Sequence, residues 1–128
     1  MANGTIAFDT LQTSGQITGT AKSVDTDYVV NGSAKAWHHA NEDATPVVED
    51  SFNVASLTDT ANGRQGINLT NNMANTNYVA QASNHESQVR FYFTGSLTTS
   101  SYISEAYANN ASAYQDAHQN SIAHGDLA

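Results

Sequence analysis

The chain has 128 residues, material for one domain, and its twelve acidic against four basic residues leave a formal net charge of −8. So few cations exclude a conventional nucleic-acid-binding domain, which must displace phosphate counterions, and attachment to an anionic membrane surface; the absence of cysteine excludes disulfides, thiolate metal sites and thiol nucleophiles. Ile, Leu, Val and Phe number only 22 against 41 Asn, Ser and Thr, a thin core for the length, so part of the apolar surface is expected to be buried against another copy or a larger assembly.

The chain opens Met1-Ala2-Asn3-Gly4-Thr5-Ile6-Ala7-Phe8, which has neither the basic start nor the apolar stretch of a signal peptide. Folding in the cytoplasm is therefore expected, and no apolar run anywhere approaches the roughly 18 residues of a spanning helix. Thr5–Leu11 alternates Ile6 and Phe8 with Ala7 and Asp9; residues 1–30 read as an extended arm or a peripheral hairpin, and residues 1–31 are expected to anchor the rest. Asp27–Val30 is a short apolar run ending at Asn31-Gly32, a strong turn dipeptide. Ala34–His39 carries Trp37, and the hairpin-like segment Asn41–Asp50 holds the single proline, Pro46, where a missing N–H costs little. Ser51–Leu57 places Phe52 and Val54 two apart. Gly66–Leu69, Asn77–Gln81 and Gln88–Phe93 follow, the last with Val89, Phe91 and Phe93 on one face.

Turn clusters at Ala61-Asn62-Gly63, Asn71-Asn72 and Ser83-Asn84-His85-Glu86 separate these runs. Helix signals are poor because Asn, Ser, Thr and Gly dominate. Short strands at this spacing predict an all-β chain, an antiparallel β-sandwich or barrel-like domain over residues 32–128. Residues 101–118, with Tyr102, Ile103, Tyr107 and Tyr114 amid Ala, Ser and Asn, read as a long loop or short helix. No repeat of 20–50 residues occurs.

For metal chemistry the weak candidates are His38 and His39 with Glu42 and Asp43, since imidazole and carboxylate suit zinc or iron. Adjacent histidines on a strand point to opposite faces, however, so both do not readily reach one ion, and a solvated polar turn is the better reading. His118 and His124 share a face if their segment is a strand, one that reads as solvent-facing. Glu42/Asp43 and Glu49/Asp50 sit in a polar turn rather than converging in an apolar pocket. No Gly-x-Ser-x-Gly elbow is present. Asp25-x-Asp27 begins like a calcium loop but lacks its glycine and final glutamate. No catalytic residue, resident metal or cofactor is expected. Phe8, Trp37, Phe52, Val54, Tyr78, Phe91 and Phe93 are expected in the core or at an oligomer contact, with the core the commoner place for aromatics in alternating strands.

Five blocks then occur in order: Gly32-Ser33-Ala34-Lys35-Ala36-Trp37; Asp50-Ser51-Phe52-Asn53-Val54-Ala55-Ser56-Leu57-Thr58-Asp59; Asn62-Gly63-Arg64-Gln65-Gly66-Ile67-Asn68-Leu69-Thr70; Asn72-Met73-Ala74-Asn75-Thr76-Asn77-Tyr78-Val79; and His124-Gly125-Asp126-Leu127-Ala128. In this order they resemble the carboxy-terminal module of tail-fibre and related virion structural proteins of marine tailed bacteriophages, cyanophages included. The resemblance covers about residues 32–93 and the last few residues. The chain departs from that pattern at His38-His39, where the family tends to be apolar or aromatic. It departs again along His118–His124, where only Ile122 and Ala123 are apolar.

The resemblance implies a β-rich, trimeric module displayed on a virion, with no catalytic residue to carry over. The expected partners are other copies in a homotrimer, other virion proteins of the tail or the major capsid protein, and a host-surface glycan or protein. A short tail fibre and a capsid decoration protein compete as placements: the resemblance favours the first, the short chain the second. A carbohydrate- or metal-binding β-module is the rival of a different class.

Overall fold

Burial alternates with period two along the strands at 36–41, 101–108 and 119–124, and together with their neighbours these strands form two antiparallel sheets. The computed structural model describes residues 26–41, 45–83 and 90–128. Phe8 with the expected arm up to residue 25, and Glu42 and Asp43, lie outside the described residues. A seven-residue helix, α1 (Thr26–Gly32), precedes nine strands: β1 (Ala36–Asn41), β2 (Val47–Phe52), β3 (Val54–Ala61), β4 (Arg64–Leu69), β5 (Val79–Ser83), β6 (Arg90–Gly95), β7 (Ser101–Ala108), β8 (Ala113–Tyr114) and β9 (Gln119–His124). The first sheet has the order β2-β1-β9-β5; the second has β3-β4-β7-β6, with β8 also paired to β7. The all-β, sandwich-like expectation is met.

The first crossing from one sheet to the other takes a single residue. Asn53, between β2 and β3, adopts φ 56°, a left-handed conformation that asparagine tolerates better than most residues. Its side-chain amide donates to Lys35 O (2.9 Å) and Asn71 O (3.1 Å), and its Oδ1 accepts from Asn71 N at 2.7 Å. The predicted Ala61-Asn62-Gly63 turn joins β3 to β4. Gly63 has φ 70°, and a Cβ there would stand 2.5 Å from Gln115 N. Its N–H donates to Asp116 Oδ1 at 2.6 Å, while Asn62 Nδ2 donates to Tyr114 O at 2.9 Å. The hairpin tip is thus tied to the segment around β8.

The core between the sheets is built from Ala36, Ile67, Leu69, Met73, Tyr78, Ala80, Tyr102 and Ala123, with Val54, Leu57 and Leu97 packed against it. Tyr78 meets Tyr102 edge-on at 6.2 Å and donates its hydroxyl toward Thr98 O and Ser101 O, each 3.0 Å away. Gly125 lies where a Cβ would come within 2.5 Å of Tyr78 Cβ. The chain beyond it pairs Leu127 with Met73.

Four expectations are corrected. Asp27–Val30 is helical rather than a strand, and α1 straddles the division between residues 31 and 32. The last-turn carbonyl of Val30 is capped from beyond the helix, by the Lys35 ammonium and by Ser33 Oγ at 3.3 Å; a cation suits a helix C-terminus. Ser51–Leu57 is two strands broken at Asn53. Residues 101–118 are not one long loop or short helix: a turn at 109–112, β8 and an irregular stretch at 115–118 follow β7, which is an inner strand between β4 and β6. Its inward positions Tyr102, Ser104, Ala106 and Ala108 are buried. Lastly, His118–His124 is not a solvent-facing run. It contains β9, an inner strand of the first sheet, with Gln119, Ser121 and Ala123 buried.

Candidate functional site

Each face of β1 is a candidate site, because its side chains alternate between the sandwich interior and the outside. Inward, His38 is 2% exposed, and its Nδ1 lies 2.8 Å from Ser121 Oγ on β9, which lies 2.5 Å from Tyr102 OH on β7. Beside this chain, Ser104 Oγ donates to Gln119 Oε1 across the sheets, and Gln65 faces His38 from β4. Burial lowers the His38 pKa from 6.5 to about 4; a side-chain hydrogen bond with Gln65 works the other way, and the neighbouring His39 lowers it further. His38 is therefore neutral at pH 7. A serine, a histidine and a tyrosine in line resemble a proton relay. Their place between two sheets instead suits joining β1, β9 and β7 through hydrogen bonds where most sandwiches use aliphatic packing.

Outward, register brings large side chains into one row. Phe52 is directly opposite Trp37, Trp37 opposite Ile122, and Ile122 opposite Gln81. Trp37 is 37% exposed, Phe52 52% and Ile122 36%. The next row along the sheet is polar: Asp50, His39, Asn120 and Ser83. Between His39 and Ala40 the β1–β2 register shifts, leaving Glu49 as the extra residue of a bulge. A bulge re-aims a side chain, and here the Glu49 carboxylate meets His39 Nδ1 at 3.2 Å. Beyond Phe52 the face continues into a groove of about 570 Å³, lined by Val29 and Val30 of α1 with Phe52, Lys35 and Leu127 among others.

The sequence candidates are thus distributed as follows. Tyr78 is in the core and Val54 packs against it. Trp37 and Phe52 are not in the core, which corrects the commoner reading; the outward phase of β1 and the edge position of β2 put them on the surface. Phe91 and Phe93 belong to β6. His38 and His39 point to opposite faces, as expected, and among the described residues no three His, Asp or Glu side chains converge to hold a metal. Ile122, Ser121 and Gln65 were missed. Ile122 is a lone aliphatic in a polar run, and only the pairing of β9 with β1 gives it neighbours.

Opposite this face, the outer side of the second sheet carries an ordered cluster. Arg64 lies 4.2 Å over the Tyr114 ring and 3.2 Å from Glu105, its cross-strand partner, and Tyr107 meets Tyr114 edge-on at 5.3 Å. These side chains contact one another, whereas the apolar row on the first sheet is exposed. Among the described residues no helix is long and apolar enough to cross a membrane. Compared with protein-family models, curated proteins and solved structures, the chain matches none.

Proposed function

We propose that the chain is a non-enzymatic structural protein of a tailed bacteriophage particle, a short homotrimeric tail-fibre-type appendage that contacts the host surface. One observation carries the self-assembling part of this reading. Trp37, Phe52 and Ile122 lie exposed in a single row, while alanines fill much of the interior. A chain that places its only tryptophan outside and Ala36, Ala80 and Ala123 inside keeps apolar area for a contact it cannot make alone. The virion part rests on the five ordered sequence blocks and their resemblance to phage structural modules. The N-terminal residues 1–31 serve as the anchor, and the sandwich is the displayed part, meeting other virion proteins at one side and a host glycan or protein at the other.

Mass spectrometry of purified particles tests this reading. The chain is expected in the particle at a few tens of copies or fewer, whereas on the order of hundreds of copies indicates decoration of the major capsid protein. Absence from particles overturns the virion reading. Deleting residues 1–25, which leaves α1 and both sheets whole, is expected to abolish incorporation; undiminished incorporation removes the anchor role.

A further inference from the structure

We infer that the outer face of the first sheet, centred on the Phe52–Trp37–Ile122 row, is the surface through which copies of this chain meet one another. The inference rests on the self-assembly proposed above and assigns it a surface.

The row lies where a contact is strongest. β1 and β9 are the two inner strands of this sheet, so Trp37 and Ile122 occupy the middle of the face, and Phe52 on edge strand β2 leads into the groove beside α1. Val79 on β5 extends the apolar area past His124, its partner on β9. Four strands spaced about 4.8 Å and six residues at about 3.3 Å give a face of about 380 Å² in projection. The face is not apolar throughout, since it also carries the polar row of Asp50, His39, Asn120 and Ser83. It is about half of the roughly 800 Å² each partner buries in a stable interface, and the groove extends the face toward that size.

Charge selects the occupant. The central row has no charged side chain, and the nearby carboxylates lie at its margins: Glu49, paired with His39, and Asp50. Asp126 lies farther off, in the groove. A second copy brings its own −8, so the uncharged row is the part of this face that two copies can bring together without stacking carboxylates. A basic partner would find nothing to pair with in that row.

Trp37 is the only tryptophan in the chain, so it reports on the face directly. Sedimentation of the full chain is expected to give an oligomer whose Trp37 emission is blue-shifted and shielded from acrylamide, moving red on dilution. Phe52→Lys and Ile122→Lys are each expected to weaken association at least tenfold while the far-ultraviolet circular dichroism stays that of the wild type. Ala55→Lys, exposed on β3 of the other sheet, is expected to leave association unchanged. An oligomer whose Trp37 stays open to acrylamide overturns this assignment, since copies then meet elsewhere and the self-assembly reading survives. A wild-type chain that stays monomeric at high concentration overturns both. The quenching measurement on the wild type decides the matter even if a lysine variant fails to fold.

Discussion

Protonating His38 puts a charge between the sheets, among Ser121, Tyr102 and Gln65, with His39 next along β1 adding repulsion. Its ordinary pKa is 6.5 and its folded value about 4, so between those pH values the unfolded chain binds a proton that the folded chain refuses. Stability from this group is therefore whole above pH 6.5 and falls as the pH drops toward 4, by about 3 kcal/mol from a shift of this size. Chemical denaturation at several pH values checks the sign and size. His38→Gln keeps a hydrogen-bonding side chain without the ionisation, and its stability is expected to fall less steeply over that range. Curves for variant and wild type that run parallel between pH 6.5 and 4 would remove His38 as the source.

At the scale of elements, the sandwich turns on Asn53, where one residue redirects the chain from β2 to β3 and ties Lys35 to Asn71. Asn53→Gly keeps the left-handed backbone accessible but loses these hydrogen bonds, at an expected cost of about 2 kcal/mol; Asn53→Val adds backbone strain and is expected to cost more. Equal stability of the two variants by thermal unfolding would show that the hydrogen bonds, not the conformation, hold the corner.

The strand carrying Trp37 and the β3–β4 hairpin, marked by its Asn62-Gly63 turn, were legible in the sequence. β7 and β9 were not, because their inward positions hold Ser104, Ala106, Gln119 and Ser121, polar or small residues that give no hydrophobic period. What makes them strands is tertiary: each inner position is paired or packed across the sandwich. The site was half legible for the same reason. Trp37 and Phe52 stand out in the sequence, but which face they occupy depends on the break at Asn53 and on Ile122 arriving beside Trp37 from 85 positions away.

For the whole molecule, net charge and the apolar face pull in opposite directions. Every copy adds −8 to an assembly, so mutual repulsion opposes contact and is screened by salt within about 10 Å at 0.1 M ionic strength. If copies meet through the apolar row, raising the ionic strength is expected to tighten association, because repulsion fades while apolar burial stays. Sedimentation at low and moderate salt measures the direction. Weakening by salt would mean that ion pairs, not the Phe52–Trp37–Ile122 row, hold copies together.

The position of β9 also governs how the protein acquires its shape. It lies between β1 and β5, so until residues 119–124 arrive β5 has no strand partner and β1 has only β2, and the His38–Ser121 contact closes a loop of 83 residues. Loops that long are slow to close. The hairpins β1–β2 and β3–β4 can form early from neighbouring sequence, but the first sheet waits, with the inner edges of β1 and β5 open. During that interval the unpaired edges and the nearby Trp37 are the most adhesive part of the chain, and a passing copy competes with β9 for them. Refolding yield should therefore fall with protein concentration more steeply than the stability of the finished sandwich would suggest.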